Sequence, residues 1–150
     1  MKVTPYLNFN GDCRQAFELY KQVFGGDTFQ LTYGEAPPPP KDAPPPPEGC
    51  AGEIPASAKD QIMHVTLAHG QSPLLMGSDM PPGMEKKGSG GIAVALNCES
   101  NDEAERVFNA LAEGGSVQMP LGETFWAERF GMCVDRFGTP WLVNGVYKQP

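Results

Sequence analysis

Two histidines, His64 and His69, are the side chains of this sequence whose ordinary pKa lies closest to neutral pH. His64 sits inside QIMHVTLAH, residues 61–69, and His69 at its end, beside Gly70-Gln71. A mid-strand histidine has three uses: a half-buried ring bonded to a neighbour, a ligand contact or general base, or a lone metal ligand. Ser78-Asp79, at the end of the following run, is placed either to orient that ring or to cap the next loop. Arg129, in FWAERFG, offers a guanidinium fork to a ligand carboxylate, or an ion pair with Glu123, Glu128 or Asp135. Tyr6 and Trp126 supply aromatic surface for a ligand wall, for the core or for a contact with a second copy of the chain.

Other chemistries lack their residues. GGDTF, GSGG and EGG are turn glycines with no lysine-threonine pair behind them, so no phosphate loop is read. No glycine-rich dinucleotide turn, S-adenosylmethionine motif or GxSxG elbow occurs. The cysteines, at 13, 50, 98 and 133, include no CxxC pair, which argues against a zinc knuckle, and all four are expected to be reduced thiols. The net charge of −7, without a run of Lys or Arg, argues against nucleic acid or an anionic membrane as partner. No apolar run approaches the roughly 18 residues that span a bilayer. Residues 1–25 show no basic stretch followed by an apolar one, so the expected location is the cytoplasm.

The elements that must position these residues follow from hydrophobic spacing. With 40% apolar residues in 150, the chain can bury one core and reads as a single domain over 1–150. Residues 3–9 alternate as a strand, and Asp12 is placed to cap a helix over 12–24, ended by Gly25-Gly26. Strands are expected at 28–34, 61–69 and 72–79. The plan then repeats: a strand at 91–97, a helix over 101–112, and strands at 116–121, 129–135 and 140–147. Leu7-Asn8 and Gly25-Gly26 recur 89 residues later as Leu96-Asn97 and Gly114-Gly115. Two βαβββ modules, about 1–80 and 90–148, are the simplest reading. Between the second and third strands lies a proline-rich insertion, 35–58, read as a surface excursion. A lid, an arm on a partner subunit and a ligand for a proline-reading domain are its functional alternatives.

The segments PYLNFNG, AFELYKQVFGG, IMHVTL, LLMGSD and LAEGGSVQMPLGETFWAERFGMCVDRFGTPWLVN together resemble the PhnB-like branch of the vicinal-oxygen-chelate superfamily. That superfamily includes glyoxalases, bleomycin-resistance proteins and extradiol dioxygenases. The resemblance covers the chain apart from the insertion, and its last segment is the most specific part. It implies an α+β fold in which two βαβββ modules form curled mixed sheets around a cup, with helices on the outer faces, and a homodimer. In metal-binding members, four residues on the first and last strands of each module hold a divalent cation. The corresponding positions here fall near Thr4, near Met76, within Ile92–Ala95 and on Leu142, so no metal and no other cofactor is expected.

Strand alternation then nominates the cup lining. Leu7 and Phe9 suit the helix side of the first strand, leaving Tyr6 and Asn8 for the cup. Met63, Val65 and Leu67 suit the helix side of the third, leaving His64 and Thr66. Trp141 and Val143 suit the helix side of the last, leaving Pro140, Leu142 and Asn144. With Trp126 and Arg129, these make a mixed apolar and hydrogen-bonding lining, suited to a small organic ligand. The expected function is metal-free binding or sequestration of such a molecule, as in bleomycin-resistance proteins. The alternative is an isomerase, lyase or oxygenase in which His64 is the candidate catalytic residue or a recruited divalent metal acts.

Overall fold

A computed structural model describes residues 1–45, 54–88 and 90–149. The chain divides into two compact units, Met1–Lys86 and Lys87–Pro150, each built to the same plan. The first carries β1 (Tyr6–Phe9), α1 (Cys13–Phe24), β2 (Asp27–Thr32), β3 (Ile62–His69) and β4 (Ser72–Asp79). The second carries β5 (Val94–Asn97), α2 (Asn101–Ala112), β6 (Ser116–Gly122), β7 (Phe130–Val134) and β8 (Pro140–Asn144). Each sheet has four strands and is mixed and open, in the order β1-β4-β3-β2 or β5-β8-β7-β6. The first strand of each unit runs parallel to the last, and the other pairings are antiparallel. The fold is the α+β pair of βαβββ modules expected from the sequence.

Each helix buries one stripe on one face of its sheet. In α1 the stripe is Ala16, Phe17, Leu19, Tyr20 and Val23, all buried. Phe17 and Tyr20 meet edge to face at 5.5 Å. Gly77 of β4 gives the Phe17 ring its seat: a Cβ there would lie 2.7 Å from Cε2 of Phe17 and 2.8 Å from the Leu7 carbonyl oxygen. In α2 the stripe is Ala104, Val107, Phe108 and Leu111. Gly131 of β7 does for Phe108 what Gly77 does for Phe17, with a would-be Cβ 2.6 Å from its Cε2. Among the described residues no helix is long and apolar enough to cross a membrane.

Three local expectations need correction. Asp12 stands at the N-cap of α1, but its side chain makes no capping bond. The cap comes from Asp79 at the end of β4, which is 1% exposed. Its Oδ1 accepts from the backbone N–H of Gly11 at 2.9 Å and of Cys13 at 3.0 Å, and its Oδ2 from that of Ile62 at 2.8 Å. In α2 the cap is local: Ser100 accepts from Glu103 N–H at 3.1 Å, and the Glu103 carboxylate accepts from Glu99 N–H. Second, Met63 is 41% exposed and Ile62 fully buried, the reverse of simple alternation. The register shifts there, with Leu31 opposite His64 and Thr32 opposite Ile62, so one extra residue in β3 inverts its faces. Third, the terminal strands are shorter than expected. β5 begins at Val94 because its partner β8 runs only from Pro140 to Asn144, and Ile92 is left exposed.

The proline-rich insertion leaves the β2–β3 hairpin through a pinned neck. Tyr33 N–H donates to the Gln61 carbonyl at 3.0 Å and Gly34 N–H to that of Lys59 at 2.8 Å. Glu35 accepts from the backbone N–H and hydroxyl of Thr32. Residues 37–45 are exposed, whereas Ala58, in the short 3-10 turn Ala56–Ala58, is buried. The excursion proper is therefore shorter at both ends than 35–58. Residues 46–53 of the insertion, with Cys50, lie outside the described residues.

Candidate functional site

In the first unit, the sheet face turned away from α1 gathers the histidine expected to do chemistry. Tyr6 stands opposite Met76, Met76 opposite Thr66, and Thr66 opposite Phe29, so these four form one row across the sheet. The Tyr6 hydroxyl reaches Nδ1 of His64 at 3.2 Å, and His64 Nε2 lies 3.0 Å from Oγ1 of Thr66. Both ring nitrogens are engaged by hydroxyls, each of which can donate or accept. This arrangement satisfies a neutral imidazole in either tautomer. Asn8 lies exposed on the same face, opposite Ser78. Asp79 does not orient His64; its carboxylate is committed to two backbone amides at the start of α1, those of Gly11 and Cys13, and to that of Ile62 at the start of β3.

In the second unit, the face turned away from α2 carries Leu142 and Asn144, with Ala95 and Asn97 opposite them on β5 and Met132 and Phe130 opposite them on β7. Asn144 accepts from the Trp126 indole N–H at 3.4 Å. Its amide N–H donates to the Leu96 carbonyl at 3.4 Å and to Oδ1 of Asn97 at 3.3 Å. The Tyr147 hydroxyl donates to the same Asn97 oxygen at 2.7 Å. Segments 124–128 and 146–148 pair alongside, through Glu128 N–H to Val146 and Lys148 N–H to Trp126, and this sets Trp126 near Tyr147. Trp126 also meets Phe125 and Phe130 edge to face at 4.8 and 5.0 Å.

Arg129 is not gathered with these groups. Gly131 and Cys133, two and four residues on, lie on the α2 side of β7, and Arg129 follows them. Its Nε pairs with Glu105 of α2 at 3.5 Å and its Nη1 donates to the Glu128 carbonyl at 2.8 Å. The ion pair exists, but its partner is Glu105 rather than Glu123, Glu128 or Asp135. Both side chains are well exposed, so the pair is worth under about 1 kcal/mol. An open hollow of about 620 Å³ beside the α2 cap is lined by Glu99, Ser100, Asp102, Glu103 and Arg106 and belongs to neither sheet face.

The described thiols, Cys13, Cys98 and Cys133, are not poised as nucleophiles. Burial pushes Cys13 far up from the ordinary thiol value, with the Asp79 carboxylate adding to the effect. Burial and Asp135 push Cys133 up to about 11, and burial raises the half-buried Cys98. A thiol so shifted carries little thiolate at neutral pH.

Residues 3–143 match the family model described as the glyoxalase/bleomycin resistance protein/dioxygenase superfamily. The chain belongs to this superfamily. Over its whole length it is 34% identical to Protein YjdN of Escherichia coli K12, covering 99% of that protein. The crystal structure of protein PA1353 from Pseudomonas aeruginosa is similar at 47% identity, with a TM-score of 0.78 and 96% of each chain covered. A Bacillus cereus PhnB protein, titled a putative 3-demethylubiquinone-9 3-methyltransferase, shares the fold at 22% identity and a TM-score of 0.69, with 96% of this chain and 98% of that one covered.

Many superfamily members hold a divalent cation, and the donor set here does not fit one. The positions that the resemblance assigns to the ligands are near Thr4, near Met76, within Ile92–Ala95 and on Leu142, with Met76 in β4 and Leu142 in β8. A hydroxyl, a thioether and aliphatic side chains are not the carboxylates and imidazoles that a hard divalent ion selects. Among the described residues no three His, Cys, Asp or Glu side chains converge. Sequence reasoning also missed Asn97 and Tyr147. The Leu7-Asn8 and Leu96-Asn97 repeat held the signal for Asn97, since it places the two asparagines at matching points of the first strands.

Proposed function

We propose that this superfamily member binds a small organic molecule on a sheet face turned away from its helix, and does so without the metal of its metal-holding relatives. The observation that carries this reading is the chain Tyr6 Oη–His64 Nδ1 and His64 Nε2–Thr66 Oγ1, at 3.2 and 3.0 Å, on a face that also exposes Phe29. Fixed hydrogen-bonding groups set among apolar surface make a recognition surface for a small molecule. A general-base role for His64 fits less well. Its lone pair is occupied by a hydroxyl, which would have to yield before the ring could take a substrate proton. The proposal includes a homodimer, which the resemblance to two-module members implies.

A thermal-shift screen of small aromatic and polar metabolites tests the reading. At least one compound is expected to raise the melting temperature of the native protein, and His64→Ala should bind it about tenfold more weakly, because the Tyr6 and Thr66 hydroxyls lose the ring that holds them in place. Hits that stabilise native and His64→Ala protein equally would overturn it. Stoichiometric metal that survives dialysis would put the enzyme reading first.

A further inference from the structure

We infer that the side-chain amide of Asn97 is a ligand-recognition donor, and that Asn97, Trp126 and Tyr147 take a planar aromatic molecule carrying a carbonyl-type acceptor. The inference rests on the small-molecule reading above but uses different residues, all in the second unit.

The orientation of Asn97 follows by elimination. An amide's oxygen and nitrogen are distinguished by what surrounds them. The Trp126 indole N–H can only donate, so the atom of Asn144 facing it is oxygen. The Leu96 carbonyl can only accept, so the other atom of Asn144 is nitrogen. That nitrogen donates to Asn97, which must therefore present its oxygen. The Tyr147 hydroxyl donates to the same oxygen at 2.7 Å. With Oδ1 doubly engaged, Nδ2 of Asn97 points away carrying two N–H groups, and it donates to no group among the described residues. Asn97 is exposed, as are Tyr147 at 51% and Phe125 at 88%. A donor held in one orientation by a network of neutral groups, beside exposed rings, matches a flat molecule with an acceptor at its edge. No formal charge belongs to the network, so the ligand need not be ionised.

The test uses coumarin, a planar lactone, and 1,2-dihydronaphthalene, of similar size without a carbonyl, titrated into 15N-labelled native protein. Coumarin is expected to move the Asn97 side-chain amide resonances and the Trp126 indole resonance, and to bind at least tenfold more tightly than 1,2-dihydronaphthalene. Asn97→Asp keeps an oxygen for Tyr147 and Asn144 but has no N–H, and should weaken coumarin at least tenfold while the backbone spectrum stays native. If that variant does not fold, the native titration decides alone. Coumarin that fails to bind, that binds without moving the Asn97 resonances, or that Asn97→Asp binds equally would overturn the inference. The His64 reading would survive each of these results, since a screening hit weakened by His64→Ala but not by Asn97→Asp separates the two.

Discussion

Replacing Asp79 should destabilise the first unit more than any other single carboxylate change there. The carboxylate is buried and accepts three backbone N–H groups, at 2.9, 3.0 and 2.8 Å, from Gly11, Cys13 and Ile62. Hydrogen bonds to a charged group contribute about 1.5–3 kcal/mol each, and an orphaned buried donor costs about 1–3 kcal/mol. Asp79→Asn keeps one oxygen for two of the donors but loses its charge, and turns an amide N–H₂ toward the third. The expected loss is about 3 kcal/mol. Asp79→Ala orphans all three donors, and the loss should reach about 4–5 kcal/mol. Urea unfolding followed by circular dichroism reads this directly. For a slope of roughly 2 kcal/mol/M, Asp79→Asn should lower the midpoint by about 1.5 M with the slope unchanged. Asp12→Asn, at the nominal cap position without a capping bond, should shift it by less than about 0.3 M. A shift under about 0.4 M for Asp79→Asn, or a larger one for Asp12→Asn, would refute the assignment of the cap.

Other outcomes follow from the packing and the chemistry. Gly77→Ala drives a Cβ against Phe17 and the Leu7 carbonyl and should cost about 2–3 kcal/mol in the same urea assay, whereas Gly70→Ala, at φ +59 with nothing within 4 Å, should cost only about 1 kcal/mol. Iodoacetamide at pH 8 should label Cys98 ahead of Cys13 and Cys133 by mass spectrometry, because a Cys133 pKa of about 11 leaves roughly one thiolate in a thousand and both sites are buried. Replacing residues 36–54 with a short Gly/Ser loop should leave the melting temperature within about 2 °C of native. Extending the replacement through Ala58 and Lys59 should lower it measurably, since the buried alanine and the pairing of the neck go with them.

Most of the fold was legible because it is written locally. The helix stripes, the glycine stops after each helix and the repeat at 89 residues are short-range patterns, and both helices form within a residue of where the spacing placed them. What was not legible depends on groups distant in sequence. The α1 cap comes from a residue 66 to 68 positions away, and nothing in the local run around Asp12 reveals that the nearer carboxylate would be passed over. The inversion at Ile62 and Met63 comes from a bulge, which strict alternation cannot represent. Alternation did place Tyr6, His64 and Thr66 on one face, and Leu142 and Asn144 on another. The same rule applied strictly to Arg129, Gly131 and Cys133 also puts the arginine on the helix side, where Glu105 meets it. The Asn97 orientation required the whole network, since an asparagine's letter does not say which way its amide points.

The central claim is that the superfamily scaffold here works without the metal held by other members. Calorimetric titration of chelator-treated, dialysed native protein with Zn²⁺, Mn²⁺, Ni²⁺ and Mg²⁺ tests it most directly, with His64→Ala and Leu142→Glu alongside. The predicted result is no saturable one-to-one binding at micromolar concentration by any of the three proteins. Leu142→Glu should instead be less stable, because it adds a single carboxylate beside Ala95 and Met132 with no cation-binding partners. Micromolar one-to-one binding of a divalent metal by the native protein, abolished by His64→Ala, would contradict the account.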